Sequence, residues 1–457
     1  MKNVFTLFRQ FTIQLPLIGA LLCGNFACEE SVLEPKPVDR ITDDLVLKDV
    51  GSAFNVVNGL YRNFANLSAI NIIAGDMSAD NLRHNGTFTQ YIEIGTFNMS
   101  ASNGSASALW GTMYGMMFTV NFLIEGLPQL DDIPESLLNE FLATARFFRA
   151  YGYFAGVNTY GDLPLVTSTD VEANSEIPRT PANEVLQFVE EDLLFALNKL
   201  PTDPDNSGML SNGAVKALLA RYYLYRQDWT KAEQYASEII NGQNTANYNL
   251  ESNFVDVLSD FSDESILEVV YSANDNPGTS TNFGLNNLFE SRREIIPRNE
   301  IIFELQSNGG SRSQMIEFDA ALAVGNDNGW TVTRYGPFDN VQVIRLAEIY
   351  LIRAEARAQQ NKLQGGLSDL NRIRNRAGVP ALNLDNKNRL LTAIEEERRV
   401  ELAFEGHRWY DLKRTNRDDA VMSAVTSNWT VKNKLWPVPQ REISNNPALA
   451  GDQNPGY

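Results

Sequence analysis

A mostly helical fold, built on tetratricopeptide-like helical hairpins, is predicted by three observations. First, apolar residues recur at steps of three and four in two late runs: Ile344, Ala347, Leu351, Ala354 and Ala358, then Leu363, Leu367, Leu370 and Ile373. These are the stripes of two amphipathic helices, and the second stops at Gly378-Val379-Pro380, where Gly accepts left-handed backbone and Pro cannot continue the helix. Second, Ala220, Tyr223, Trp229, Ala232, Ala236 and Ile239 repeat the positions of Ala354, Arg357, Leu363, Gly366, Leu370 and Ile373, with the small residues twelve apart in both sets. Small residues at that spacing let two antiparallel helices approach closely, and such pairs bury a face only by stacking on neighbours. Third, the period fails over about 265–340, where short β-branched runs lie among Asn- and Gly-rich turns. The expected architecture is a helical-hairpin scaffold with an inserted irregular lobe containing a few short strands.

The chain has 457 residues, and its opening reads as an address. Lys2 and Arg9 precede an apolar run from Phe11 to Cys23, of signal-peptide length and too short to span a bilayer comfortably. Ala27-Cys28-Glu29-Glu30 is similar to a bacterial lipoprotein cleavage site, in which the cysteine becomes the acylated first residue. Residues 1–27 are therefore expected to be a signal peptide, Cys28 the lipidation site, 28–48 an extended tether and 49–457 the folded domain. Cys23 and Cys28 are the only cysteines, so after cleavage neither an intramolecular disulfide nor a cysteine metal site is expected.

Helices are predicted over 49–67, where Phe54, Val57, Leu60, Tyr61 and Phe64 share a side, and over 108–127, 134–160 and 181–200, the last with Thr180 as N-cap and Pro181 at its first position. Residues 71–107 lack a period and read as a long loop carrying Phe88, Tyr91 and Phe97. In the irregular lobe, 265–271 and 330–335 read as strands, and 274–287 as a loop holding Asn276, Asn282 and Phe283.

Composition narrows the function. With 57 acidic and 38 basic residues the net charge is −19, which argues against nucleic acid as a partner, since that needs a basic footprint. Residues 345–417 run the other way, with 15 Lys+Arg against 10 Asp+Glu, or +5; arginines and glutamates interleave there at helical spacing and are expected to pair. Glu397, Glu401 and Glu405 fall at i, i+4 and i+8. Paired carboxylates suit general acid–base work on a glycosidic bond, but nearby Arg398, Arg399, Arg408 and Arg414 favour an ion-pair network locking helices together. His84 and His407 are the only histidines, so no multi-histidine metal site and no metal or other cofactor is expected. No P-loop or dinucleotide fingerprint occurs. Asp327 and Asn328 lack the other positions of a calcium loop and read as a plain turn. Trp110, Tyr114, Trp229, Trp409 and Trp436 read as core.

Several separated motifs stand in order along the chain: Arg146-Phe147-Phe148-Arg149-Ala150-Tyr151, Tyr160-Gly161-Asp162-Leu163-Pro164-Leu165, Arg372-Ile373-Arg374 with Arg376-Ala377-Gly378, Glu397-Arg398-Arg399, Glu405-Gly406 with Arg408-Trp409, Trp436-Pro437-Val438-Pro439 and Asn454-Pro455-Gly456-Tyr457. Together they closely resemble the RagB/SusD family of outer-membrane nutrient-binding lipoproteins. The resemblance implies a non-enzymatic protein, held to the outer membrane by its lipid anchor. It would bind an oligosaccharide or other nutrient and serve as a lid on a SusC-like TonB-dependent transporter. An α-helical glycoside hydrolase and a tetratricopeptide interaction scaffold are the alternatives.

The ligand site is expected where 71–107 and 274–287 meet the turn before Trp330, because binding residues commonly occupy loops held by rigid elements. A sugar offers apolar C–H faces and a rim of hydroxyls. Trp330, Tyr91, Phe88 and Phe283 are the candidate faces, and Asn81, Arg83, His84, Asn276 and Asn282 the candidate hydrogen-bonders.

Overall fold

The computed structural model describes residues 46–271 and 281–457, with side chains in the second stretch from Gly284 onward. The expected signal peptide, Cys28, the tether up to residue 45 and Asn276 lie outside the described residues.

Helix α1 (Val50–Met77) starts at a capping box: the Ser52 amide donates to Asp49 Oδ1 at 2.7 Å, and the Asp49 amide to Ser52 Oγ at 2.9 Å. It runs ten residues past its expected end at Leu67. Ile72, Ile73 and Ala74 are buried, and Gly75 lies so close to the 404–407 turn that a Cβ there would sit 1.9 Å from the Gly406 carbonyl oxygen. That support comes from the far end of the chain. Residues 71–107 are thus only partly loop: they include the end of α1, strand β1 (Leu82–His84), helix α2 (Thr89–Gly95) and the start of α3 (Gly104–Gly126).

The scaffold continues through α4 (Glu135–Tyr160), α5 (Ala182–Ala196), and the hairpin α6 (Asn212–Tyr225) with α7 (Trp229–Ile240). The N-cap of α5 is Pro181, not Thr180. Thr180 pairs with Leu163, and the Asp162 carboxylate accepts from the Ala182 amide at 2.7 Å in place of the expected hydroxyl.

The second hairpin is α9 (Leu346–Gln359) with α10 (Leu363–Arg376), and α11 (Lys387–Glu401) packs on both. Helix α9 also lies against α7, so the two hairpins stack as the repeat required. A Cβ on Gly366 would meet the Ala354 carbonyl oxygen at 2.8 Å, which shows why that position is small. Gln227 and Asn361 hold the same left-handed backbone at the corresponding turns, φ 59 and 61°.

The inserted lobe holds β2 (Ser265–Val269), β3 (Ile295–Pro297), helix α8 (Asn299–Asn308), β4 (Ile316–Phe318), β5 (Trp330–Val332) and β6 (Val341–Arg345). β2 pairs antiparallel with β6, and Ile344, expected on the helical stripe, belongs to β6. The strands expected over 265–271 and 330–335 stop at Val269 and Val332. Residues 281–286 are helical (Thr281–Asn286), not loop. Among the described residues, no helix is long and apolar enough to cross a membrane.

A buried ion-pair frame ties lobe to scaffold. Arg345 ends β6 with its side chain fully buried and donates to Glu401 Oε1 at 2.6 Å and Glu405 Oε1 at 2.7 Å. Arg312 reaches Glu397 and, at 3.1 Å, Glu401; Arg376 reaches Glu264 and Glu401; Arg374 reaches Glu397 at 2.8 Å. Burial alone would push the Glu401 carboxyl up, but Arg376, Arg345 and Arg312 outweigh it and hold it at about 2. The three carboxylates are therefore locked to arginines, but not as expected. Helix α11 ends at Glu401, so Glu405 lies in the turn beyond it, and the nearby Arg398, Arg399, Arg408 and Arg414 pair instead with Asp411, Asp80 and Glu355.

Candidate functional site

The site is hung from the scaffold at Asp76, the fully buried penultimate residue of α1. Its carboxyl accepts from the Gly406 amide at 2.5 Å and from Asn81 Nδ2 at 2.6 Å. Asn81 Oδ1 in turn accepts from Arg399 Nε at 3.2 Å, so both ends of this amide are used inside the protein. Asn81, a candidate ligand contact, is placed 1% exposed and acts as a tie.

Beyond it β1 leaves the interior and pairs antiparallel with β3, with Arg83 opposite Ile296. Arg83 Nη2 donates to the Asn326 carbonyl at 2.6 Å. Asn85 Nδ2 donates to Asp327 at 2.8 Å and to the Arg293 carbonyl at 3.0 Å. The 71–107 segment therefore does meet the turn before Trp330. His84 turns inward: its Nδ1 is buried without a partner, and a Cβ on Gly95 would lie 2.8 Å from it. Burial, with Arg83 and Arg298 adding to it, lowers its imidazole pKa.

The turn itself is fixed by Arg293. Its guanidinium holds Asp327 through two bonds of 2.8 and 2.7 Å and donates to the Trp330 carbonyl at 3.0 Å. Asp327 also accepts from the Gly329 amide at 2.8 Å. Burial raises this carboxyl, but Arg293 and the amide outweigh it and its pKa stays below the usual value. Asn328 is used as well, donating to the Pro297 carbonyl at 2.9 Å and accepting from the Trp330 amide at 3.1 Å. Both side chains are thus engaged within the protein.

This clamp presents Trp330. Phe318 of β4 stands directly opposite it in register, so their rings share one face, 5.3 Å apart and inclined by 44°. Phe318 is 49% exposed and Trp330 half-buried. Leu322 and Val324, exposed on the connecting loop, extend the apolar surface. On the side of Asn85, Phe88 and Tyr91 are half-buried with ring centres 6.2 Å apart, and the Arg292 guanidinium covers Phe88 at 4.3 Å. Glu294 fixes that loop by accepting from the Thr87 and Phe88 amides at 2.7 and 3.0 Å.

The structure thus gathers Trp330, Arg83, Phe88 and Tyr91 around one hydrogen-bonded network and turns Asn81 and His84 inward. Asn282 and Phe283 lie on the Thr281–Asn286 helix. Sequence reasoning missed Phe318, Asn85 and Arg293. Ile316-Glu317-Phe318 before the turn and Trp330-Thr331-Val332 after it could have been matched as a hairpin with facing aromatics. No local signal pairs Arg293 with Asp327, 34 residues away. Among the described residues, no three His, Cys, Asp or Glu side chains are grouped to hold a metal ion.

Two family profiles match the chain: one described as "SusD family" over residues 323–457, the other as "Starch-binding associating with outer membrane" over residues 47–224. A SusD-like protein of Formosa agariphila is 26% identical, over 96% of this chain and 98% of its own length. A SusD-like protein of Bacteroides ovatus is 24% identical over 74% of this chain and 71% of its own. Among solved structures, a laminarin-binding SusD-like protein superposes with a TM-score of 0.78 at 25% identity, covering 90% of this chain and all of the other. The surface glycan-binding protein A of Bacteroides fluxus shares the fold, with a TM-score of 0.73 at 21% identity over 89% of this chain and 99% of its own.

Proposed function

The chain belongs to the SusD/RagB family, and from that premise we propose that it is a cell-surface lipoprotein that binds an oligosaccharide. We further propose that it passes its ligand to a SusC-like TonB-dependent transporter in the outer membrane. The observation that carries the reading is the Trp330–Phe318 pair, two large rings on one exposed face held by the Arg293–Asp327 clamp. An aromatic ring gives a sugar's C–H face a rigid apolar floor at low entropic cost. Arg83, with one bond to the Asn326 carbonyl in the turn before Trp330, offers a donor for hydroxyls. The similarity to a laminarin-binding protein supports a glucan as the first probe.

Neither alternative gains a specific observation. Glu397, Glu401 and Glu405 are buried against arginines, so the acid–base pair a hydrolase needs is not among them. The test is calorimetry with laminarin oligosaccharides and a glycan array on the purified protein. A bound glycan whose affinity ignores Trp330 and Phe318 would overturn the site, and shortening of the glycan would overturn binding without turnover. Anchoring is assigned to Cys28, since each buried acyl methylene contributes about 0.8 kcal/mol. Cys28→Ala should move the protein out of the membrane fraction.

A further inference from the structure

We propose that the glycan bound by this protein carries short apolar substituents, O-acetyl or O-methyl groups, and that the loop between Phe318 and Trp330 receives them. The inference rests on the reading of Trp330 and Phe318 as a sugar platform, and it narrows the class of ligand.

Residues 317–326 are exposed without a break, and within them Ala320-Ala321-Leu322-Ala323-Val324 is an uninterrupted apolar run, with Val324 73% exposed. A surface run of this kind calls for something that covers it. The run is also folded in advance. A 3-10 turn covers Ala320–Leu322, and the Asp319 carboxylate caps it by accepting from the Ala321 amide at 2.8 Å. The Leu322, Ala323 and Val324 amides donate to the carbonyls of Asp319, Ala320 and Leu322 at 3.1, 3.3 and 2.8 Å. Every amide from 321 to 324 is therefore used inside the loop. No backbone donor is left there for a sugar hydroxyl, and the exposed side chains offer only methyl groups.

The run is continuous with the platform. The Asp319 amide donates to the Gly329 carbonyl at 2.9 Å, which closes the loop at the residue before Trp330. A Cβ on Gly329 would lie 2.7 Å from the Phe318 ring and 3.1 Å from the Ala323 methyl, so ring and aliphatic run meet at that glycine. Methyl groups give a hydroxyl nothing, and they gain only by covering another apolar group. Extent decides what that group is. Five small side chains fall far short of the about 800 Å² that each partner buries in a stable protein interface. Glu317 and Asp319, both exposed and with no Lys or Arg in 317–326, disfavour an anionic lipid surface. A short substituent on the glycan matches both the size of the run and its place beside Phe318.

The test is calorimetry on the mature protein with laminarin hexasaccharide and the same hexasaccharide chemically O-acetylated, beside an array of other oligosaccharides printed in both forms. A glycan that binds should bind about fourfold more tightly for each acetyl methyl that becomes buried. Leu322→Ser combined with Val324→Ser should bring the two forms level, whereas Trp330→Ala should weaken both and keep their ratio. Both loop side chains are exposed, so the melting curve of the double variant should match the parent's. If the double variant does not fold, Val324→Ser alone carries the test and should reduce the ratio. Equal binding of the two forms by the parent, or a preference that survives in the folded serine variants, would overturn the proposal and leave glycan binding in place. A preference that survives while the variants lose a protein partner would assign the loop to that partner and overturn it too. Failure of every glycan to bind in either form would overturn the glycan reading itself, and this inference with it.

Discussion

Around Glu401, three arginines and three further carboxylates (Glu264, Glu397 and Glu405) are sealed from water. Around Asp327, a single arginine and its carboxylate lie near the surface, 10 and 13% exposed, with Trp330 and Phe318 beside them. The chemistry is the same and the consequence differs. In the frame every charge is answered several times, so the geometry of β6, α10 and α11 is over-determined. At the clamp, one ion pair and a few amide bonds hold a turn, leaving large rings and the donor Arg83 for something else.

The sharpest way to break that contrast is to remove one partner from the frame. Glu401→Gln leaves Arg312, Arg345 and Arg376 short of a buried charge, and stability should fall by about 3–5 kcal/mol in urea denaturation. A loss below about 1 kcal/mol would mean the network is not what fixes these elements. A smaller effect is expected from Gly75→Ala, whose Cβ would run into the Gly406 backbone. Overpacking of this kind costs about 1–3 kcal/mol, read as a lower denaturation midpoint at unchanged slope.

These two positions also mark where the sequence was legible. The stacked hairpins were readable because Ala354, Gly366 and their counterparts Ala220 and Ala232 are local and periodic. That Glu397, Glu401 and Glu405 would be ion-paired was readable, but the partners were not. The nearby Arg398, Arg399, Arg408 and Arg414 go to Asp411, Asp80 and Glu355, and the glutamates are met by Arg312, Arg345, Arg374 and Arg376, 23 to 89 residues away. The extension of α1 to Met77 was not readable either, since Gly75 is held by Gly406, 331 residues later. Likewise Asn81 is polar and lies in an aperiodic stretch, so nothing local reveals Arg399 as its partner. Trp330 could be picked out as a large ring at a turn, but Phe318 depended on strand register, and Arg293 on a contact across the lobe.

At the clamp the expected signature is reversed. Trp330→Ala should lose about 2 kcal/mol or more of glycan affinity, the scale of an aromatic hot spot, while the melting curve stays close to that of the parent. Calorimetry and melting on the same sample separate the outcomes. A large fall in melting temperature with affinity intact would place Trp330 on the structural side of the comparison.

The smallest effect lies at the joint between the two regions. Asp76 accepts from Gly406 on the frame side and from Asn81 on the site side. Burial pushes its carboxyl up to about 7, with Glu405 and Asp80 adding to the rise and the two hydrogen bonds opposing it. An acid whose folded pKa lies above its unfolded value near 3.8 binds its proton more tightly when folded. Its contribution is therefore fully present below about pH 4 and is lost as pH rises through 7. His407 works against it: burial takes its imidazole down from 6.5 to about 4, so its contribution is present above 6.5 and is lost as pH falls towards 4. Between pH 7 and 5 the two slopes offset each other. Asp76→Asn removes one slope. Because Gly406 and Asn81 donate to different oxygens of the carboxyl, the single amide oxygen keeps only one of the two bonds, which adds an offset equal at every pH. Relative to the parent, the variant should lose on the order of 1 kcal/mol between pH 7 and 5, measured by denaturation at each pH. Parallel curves for parent and variant would show that Asp76 stays ionised and that the joint is held by charge. A widening gap on acidification, with glycan affinity at pH 7 preserved, would show that the frame can weaken while the clamp still presents its rings.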